Sequence, residues 1–303
     1  MKTESWMTMS DGVDVYVNKW EPDNKKPQAI VQLSHGMVEH IGRYDEFATY
    51  LMNQRIIVYG NDHRGHGKTG ENQGQLGYLA DQDGFNRTTE DLYEISKQIK
   101  SEHPHLPLFL FSHSMGSFLA RKYIQTYSTA INGVIFSGTG YFDPLTTQTA
   151  KGISRLLPAR DQSKFMNFLA FGSYNKRITN QITPFDWLTR DQAAVEKYMA
   201  DPHTGYIPTA RFFYDLMDGL GDIHSRKKNQ AIRPDLPMFF ISGDADPVGH
   251  YAKGIWKTAH HYDRLGIENI KVMLFADGRH ELLSELNKKE VFEVILDWIN
   301  RFI

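Results

Sequence analysis

Residues 109–117 read Phe-Leu-Phe-Ser-His-Ser-Met-Gly-Ser. An apolar run enters small-x-Ser-x-Gly and leaves into a helical pattern over Ser117–Tyr127. Strand, sharp turn and helix form the setting that lifts a serine hydroxyl clear of the backbone for nucleophilic attack. The turn requires small residues on both sides of Ser114 so that the chain can double back. Gly116 meets that requirement, and position 112 carries Ser in place of Gly, a departure that stays small. The pentapeptide alone is equally consistent with a serine buried in an ordinary strand–helix turn.

Further short apolar runs flank this one at Ala29–Leu33, Arg55–Tyr59, Gly133–Phe136, Pro237–Ile241 and Lys271–Phe275. Consecutive apolar residues suit strands covered on both faces, as in a parallel sheet. Before them, Ser5–Met9, the turn pair Asp11-Gly12 and the alternation Val13, Val15, Val17 predict an antiparallel ribbon. Helical patterns fall at Tyr44–Asn53, Arg87–Ser101 and Val291–Phe302. The alternation predicts an α/β fold, a mostly parallel central sheet with helices on both faces. It breaks over 140–234, an aromatic-rich stretch without a convincing strand. We read 1–139 and 235–303 as the core and 140–234 as a helical cap inserted over the carboxyl ends of the strands, where open α/β sheets bind ligands.

A serine hydroxyl needs a base, and the base needs an orienting acid. In this arrangement the chain order is Ser, then acid, then His. The last two apolar runs end in Ser242-Gly243-Asp244-Ala245-Asp246-Pro247 and Ala276-Asp277-Gly278-Arg279-His280. His280 is the expected base and Asp246 the expected acid, with Asp244 its rival. Aspartates beside Gly and Pro are also common turn formers. Two backbone donors should receive the tetrahedral oxyanion. The N–H of Met115 follows the nucleophile, and Met37 follows Gly36 in the loop after the Ala29–Leu33 run.

Composition narrows the function classes. The chain of 303 residues balances 34 basic against 36 acidic side chains, a formal charge of −2. With 41% hydrophobic residues it can build a full core, and no charge block suggests a nucleic-acid partner. It has no cysteine, which removes disulfides, thiolate metal sites and cysteine nucleophiles. No apolar window reaches a membrane span, and Met1–Trp6 lacks a signal-peptide core. A soluble cytoplasmic protein without a cofactor is the expectation. Gly65-His66-Gly67-Lys68-Thr69 resembles the end of a phosphate loop, but position 62 is Asp where glycine is required. His35, His40, His63 and His66 lack ligand spacing, so no metal is assigned.

The strings His35-Gly36-Met37-Val38-Glu39-His40-Ile41-Gly42-Arg43-Tyr44, Asp62-His63-Arg64-Gly65-His66-Gly67 and Ser112-His113-Ser114-Met115-Gly116, with Gly243-x-Ala245-Asp246 and Gly278-Arg279-His280-Glu281, closely resemble the monoacylglycerol lipase and lysophospholipase branch of the α/β-hydrolases, of serine aminopeptidase S33 type. The resemblance covers nearly all the chain outside 140–234. It implies a serine carboxylester hydrolase with a mobile cap that acts on single-chain lipid esters through an acyl-serine. It also implies the triad Ser114, Asp246, His280 and the oxyanion donors Met37 and Met115. Glu39 and Arg43, four apart at an expected helix start, are implied near the alcohol end of the substrate; a local ion pair is the competing reading. In the cap, Ile153, Leu156 and Leu157, with Phe142, Phe165, Phe168 and Phe171, are candidates for core, for an acyl channel or for transient membrane contact. Two other enzymes remain open, a short-chain esterase and a proline-type aminopeptidase holding its substrate amine with Asp161, Asp186 or Asp191. A non-catalytic small-molecule binder on the same fold is the third alternative.

Overall fold

A computed structural model describes residues 1–23 and 25–303. Eight strands form one sheet among these residues: β1 (Lys2–Thr8), β2 (Asp14–Trp20), β3 (Ala29–Ser34), β4 (Ile56–Asn61), β5 (Leu108–His113), β6 (Gly133–Ser137), β7 (Met238–Gly243) and β8 (Ile270–Phe275). Their order is β1-β2-β4-β3-β5-β6-β7-β8. The β1–β2 and β2–β4 pairs are antiparallel, and the rest are parallel. The strands β2 to β7 are almost wholly buried, whereas β8 is an edge strand and is mostly half-buried.

The helices are α1 (Asp45–Asn53), α2 (Gly67–Asn72), α3 (Gly84–Glu102), α4 (Met115–Tyr127), α5 (Pro144–Arg155), α6 (Lys164–Phe171), α7 (Gln192–Ala200), α8 (Ala210–Asp222), α9 (Arg226–Asn229), α10 (Lys253–Asp263) and α11 (Lys288–Ile299). Pleating sends alternate strand residues to opposite faces. Leu108 and Leu110 join a core with α3, α4 and α10, while Phe109 and Phe111 join another with α1 and α11. The sequence pattern did not single out α2 or α10.

Between β6 and β7 the chain makes α5 to α9. This insertion is not a body apart from the rest. Phe212, Leu216 and Leu220 of α8 belong to the same buried cluster as α3 and α4. Among the described residues no helix is long and apolar enough to cross a membrane.

Parallel register aligns the strand ends. Ser34 is level with Ser112, His113 with Ser137, and Gly243 with Phe275. The loops that follow β3, β5, β7 and β8 therefore open on one rim.

Behind that rim lie three fully buried histidines, His35, His63 and His66, with ring centroids 4.1 to 6.2 Å apart. Burial pushes all three below the ordinary imidazole value, His63 to about 3 and His66 to about 4. They stay neutral in the fold, whereas in the unfolded chain they take protons near pH 6.5. Opposing them, burial raises Asp91 and Asp215 to about 6. Elsewhere in the chain His103, His113, His224 and His261 are also lowered, while Glu39, Asp62 and His280 are raised along with Asp91 and Asp215. The seven lowered histidines outnumber the five raised groups, so between pH 6.5 and 5 the unfolded state binds more protons and stability falls as the pH falls. Each excess proton is worth about 1.4 kcal/mol per pH unit. Urea unfolding at pH 7, 6 and 5 should show a steadily falling midpoint; a midpoint that rises on acidification contradicts this accounting.

Candidate active site

Ser114 joins β5 to α4 with φ 51° and ψ −120°. Such a backbone costs about 1–3 kcal/mol for a residue with a side chain, and its surroundings hold it there. Ser114 N–H donates to Ser137 O at 2.9 Å, and Ser117 Oγ donates to Ser114 O at 2.5 Å. Gly116 lies against the backbone of Ser34 and His35, where any Cβ would overlap their carbonyl oxygens. Ser112 is buried and donates its hydroxyl to Ile135 O at 2.7 Å. A serine therefore fits where the motif favours glycine, because its one polar atom is satisfied.

Three distant segments meet at this turn. His280 Nε2 lies 2.8 Å from Ser114 Oγ, and His280 Nδ1 lies 3.0 Å from each Asp246 carboxylate oxygen. Asp246 is fully buried and accepts from Val248 N–H at 2.8 Å and Ser242 Oγ at 3.2 Å. Asp244 is exposed and accepts from Asp277 N–H at 2.8 Å, pinning the neighbouring turn instead of facing the ring. Burial opposes a charged imidazolium at His280, but the carboxylates of Asp246, Glu281 and Glu39 outweigh it and raise the histidine above its ordinary value.

Met115 is the first residue of α4, so its N–H belongs to the unsatisfied first turn of a helix. Met37 lines the cavity above Ser114. Gly36 N–H donates to Glu39 Oε1 at 2.5 Å, and a Cβ on Gly36 would crowd Glu39, His113 and Ser114.

Glu39 and Arg43 do not share a helix face. Residues 41–44 form a 3-10 turn, and Glu39 precedes it. The two still pair: Arg43 Nη1 is 2.5 Å from Glu39 Oε2, while Glu281 receives both guanidinium nitrogens at 2.7 and 2.6 Å. Tyr44 also donates to Glu39 at 2.9 Å. Glu39 and Glu281 line the cavity above Ser114, whereas Arg43 lines a small pocket beside it, over the ring of Tyr198.

The cavity holds about 540 Å³ and brings Ser114 and His280 together with Phe168, Phe171, Phe185 and Trp187 from the insertion. Sequence reasoning missed Trp187, whose ring lies 5.1 Å from that of His280. The same segment grips the His280 loop. Glu281 N–H donates to Leu188 O at 2.6 Å, and Arg279 Nη1 donates to Asp186 O at 2.6 Å and Thr189 O at 3.0 Å. Of the expected cap residues, Phe142 packs against Phe118 and Phe165 is exposed. Ile153, Leu156 and Leu157 are not one stripe, because α5 ends at Arg155.

The loop resembling a phosphate site is already satisfied. Asp62 accepts from Lys68 N–H at 2.7 Å and Ile41 N–H at 2.8 Å. His35 and His63 engage each other, His63 N–H donating to His35 Nε2 at 2.9 Å. His40 leaves that group and faces Asp201 and His203.

Comparison with known proteins shows the family and the fold. Residues 25–287 match the family described as serine aminopeptidase, S33. The chain belongs to that family. It is 28% identical over 290 residues to a monoacylglycerol lipase of Mycolicibacterium smegmatis, covering 95% of this chain and 93% of the relative. It is 30% identical to the monoglyceride lipase of Mus musculus, covering 78% and 71%. A thermostable carboxyl esterase from Bacillus coagulans, solved in complex with glycerol, superposes with a TM-score of 0.92 at 28% identity, over 99% of this chain and 98% of that one. The fold is that of the α/β-hydrolases, and the protein is a hydrolase of their serine class.

Two substitutions separate the roles of the small residues at the turn. Gly116→Ala should abolish activity or folding, since the carbonyls it strikes belong to the end of β3 and the residue just after it. Ser112→Gly should keep kcat/KM within about threefold and lower stability by about 1 kcal/mol, the worth of one buried hydrogen bond. Ester turnover and thermal unfolding of both variants check this, and a tolerated Gly116→Ala would contradict the steric account.

Proposed function

We propose that this protein hydrolyses single-chain lipid esters, monoacylglycerols or lysophospholipids, with Ser114 as nucleophile, His280 as general base and Asp246 as the carboxylate that orients it. The observation that carries the reading is the 2.8 Å contact of His280 with Ser114 at the floor of a cavity walled by aromatic cap residues. The similarity to monoacylglycerol lipases supports the choice of ester.

Ser114 Oγ attacks the ester carbonyl while His280 Nε2 takes its proton, and the N–H groups of Met37 and Met115 receive the oxyanion. Collapse releases the alcohol, which takes the proton from His280, and leaves an acyl-Ser114. Water, activated by the same imidazole, then frees the fatty acid. The acyl chain lies along Phe168, Phe171 and Phe185. The alcohol lies toward Glu39 and Glu281, whose acceptor oxygens suit hydroxyl groups and which Arg43 holds in place.

The aminopeptidase alternative gains nothing from the cap acids. Asp186 is buried and accepts from Ile182 and Thr183, Asp191 caps α7, and none of Asp161, Asp186 and Asp191 lines the cavity. The exposed cap residues Leu145, Leu156, Phe165 and Leu169 favour transient contact with a lipid surface. The absence of cysteine suits a cytoplasmic setting.

A fluorophosphonate should label the protein once per chain and fail to label Ser114→Ala. Labelling that persists in the variant moves the nucleophile elsewhere. Asp246→Asn should lower kcat by about 10⁴-fold, as loss of the correct tautomer does in comparable triads, while Asp244→Asn stays within tenfold. Monoacylglycerol should be cleaved far faster than proline naphthylamide, and the opposite order would favour the peptidase.

The base must be neutral to act. With His280 raised, kcat/KM should fall as pH drops through a pKa above 6.5. Asp246→Asn should move whatever limb remains to lower pH, because the largest influence raising the histidine is gone. A wild-type pH–rate profile flat between 8 and 6 would contradict the first statement, and an Asp246→Asn limb at unchanged or higher pH the second.

A further inference from the structure

A group of side chains at the seam between insertion and core takes no part in this chemistry. His40 faces Asp201 and His203 of the loop after α7, and one donor atom from each lies within 4.8 Å of the other two. His40 Nε2 is 2.9 Å from Asp201 Oδ2. His203 N–H donates to Asp201 Oδ1 at 2.8 Å, which fixes the carboxylate with its other oxygen toward His40. From α2, Glu71 places Oε1 2.7 Å from His203 Nε2. That nitrogen is shielded from solvent yet forms no directed hydrogen bond. His203 thus carries a solvent-shielded imidazole nitrogen whose one close contact, to Glu71, has ion-pair distance without hydrogen-bond geometry, beside the His40–Asp201 pair.

We propose that His40, Asp201, His203 and Glu71 form a binding site for a zinc-like transition-metal ion that fastens the insertion to the core. Two imidazoles with carboxylates select such an ion over magnesium or calcium, which take all-oxygen shells. Bonds of about 2.0–2.1 Å in a tetrahedron set neighbouring donors roughly 3.3 Å apart. The 2.9 and 2.7 Å pairs must therefore open by about half an ångström, and Glu71, which touches His203 but lies outside the compact His40–Asp201–His203 group, must swing inward to serve as the fourth donor.

The protons balance. His40 Nδ1 accepts from Gly42 N–H at 3.2 Å, so Nε2 carries the ring proton when no ion is bound. With the ion on Nε2 that proton passes to Nδ1, and the long Gly42 bond is given up.

Sequence spacing conceals the site, because His40 and Asp201 are brought together only by the insertion folding back. Its position also gives it consequence. Four residues beyond Asp201, Gly205 N–H donates to Val38 O at 3.0 Å, and Gly205, Tyr206 and Ile207 line the cavity. An ion here would tie the cavity-lining loop of the insertion to the chain that carries Met37.

The test is independent of the ester reading, since it measures binding without substrate. Chelator-stripped protein is titrated with zinc chloride by calorimetry, with magnesium chloride as the contrast, and its thermal midpoint is followed. One zinc per chain with a raised midpoint, and no saturable magnesium binding, is expected. Asp201→Asn, His203→Gln and Glu71→Gln should each weaken zinc at least about tenfold, the lower end of what lost supporting contacts cost a metal site. Glu71 is largely exposed, so its variant reports on binding even if the other two fail to fold. The proposal is overturned by absence of stoichiometric zinc, by equal affinity in folded variants, or by magnesium binding as tightly as zinc.

Discussion

The reversal of the chain at Ser114 is the constraint around which the rest is arranged. A residue with a side chain sits at φ 51°, ψ −120°. It stays there because β5 lies between β3 and β6, and α4 packs back with no space for a side chain at Gly116. The strain is offset by the burial of the surrounding strands and relieved nowhere, so the hydroxyl is held toward the rim. The segments that carry Met37, Asp246 and His280 arrive by way of parallel register, which brings the ends of β3, β7 and β8 level with that turn.

Electrostatics at the floor of the cavity follow from one cation shared among carboxylates. Burial raises Glu39 above its ordinary value, and the Arg43 guanidinium counteracts this. Arg43 in turn is bound on two sides, by Glu39 and by Glu281. A buried pair of this kind adds little net stability, but loss of one partner is costly. Its evident result is geometric. Glu39 is fixed against Gly36 N–H, which shapes the loop leading to Met37, and the surplus negative charge favours a protonated His280.

The insertion is more than a cover. Through Trp187, Leu188 and Thr189 it holds the backbone and side chains around His280, and through Gly205 and Tyr198 it holds Val38. The His280 loop and the loop that carries Met37 and Val38 are both braced by the element that forms the aromatic walls. A shift of the insertion would accordingly move the Ser114–His280 rim together with the cavity.

Much of this was legible in the chain itself. The apolar runs marked the strands because a strand covered on both faces carries few polar residues and only where their hydrogen bonds are met, as at Ser112, and the elbow pentapeptide with the chain order Ser, Asp, His pointed to the residues that meet. Helix α10 escaped because its buried face mixes Ile255 and Tyr262 with the small Thr258 and Ala259, which dilutes the periodicity. Other matters rest on distances between residues remote in sequence. Asp246 and Asp244 differ by two positions, and only the turn after β7 sends one to the imidazole and the other to solvent. Glu39 and Arg43 show their spacing, but Glu281, which lies 238 residues from Arg43 and grips it from the other side, does not. The same holds for Trp187 over His280 and for His40 beside Asp201. Local pattern is written by short-range periodicity and sterics, whereas these partners are chosen by where the folded sheet and its insertion bring separate loops together.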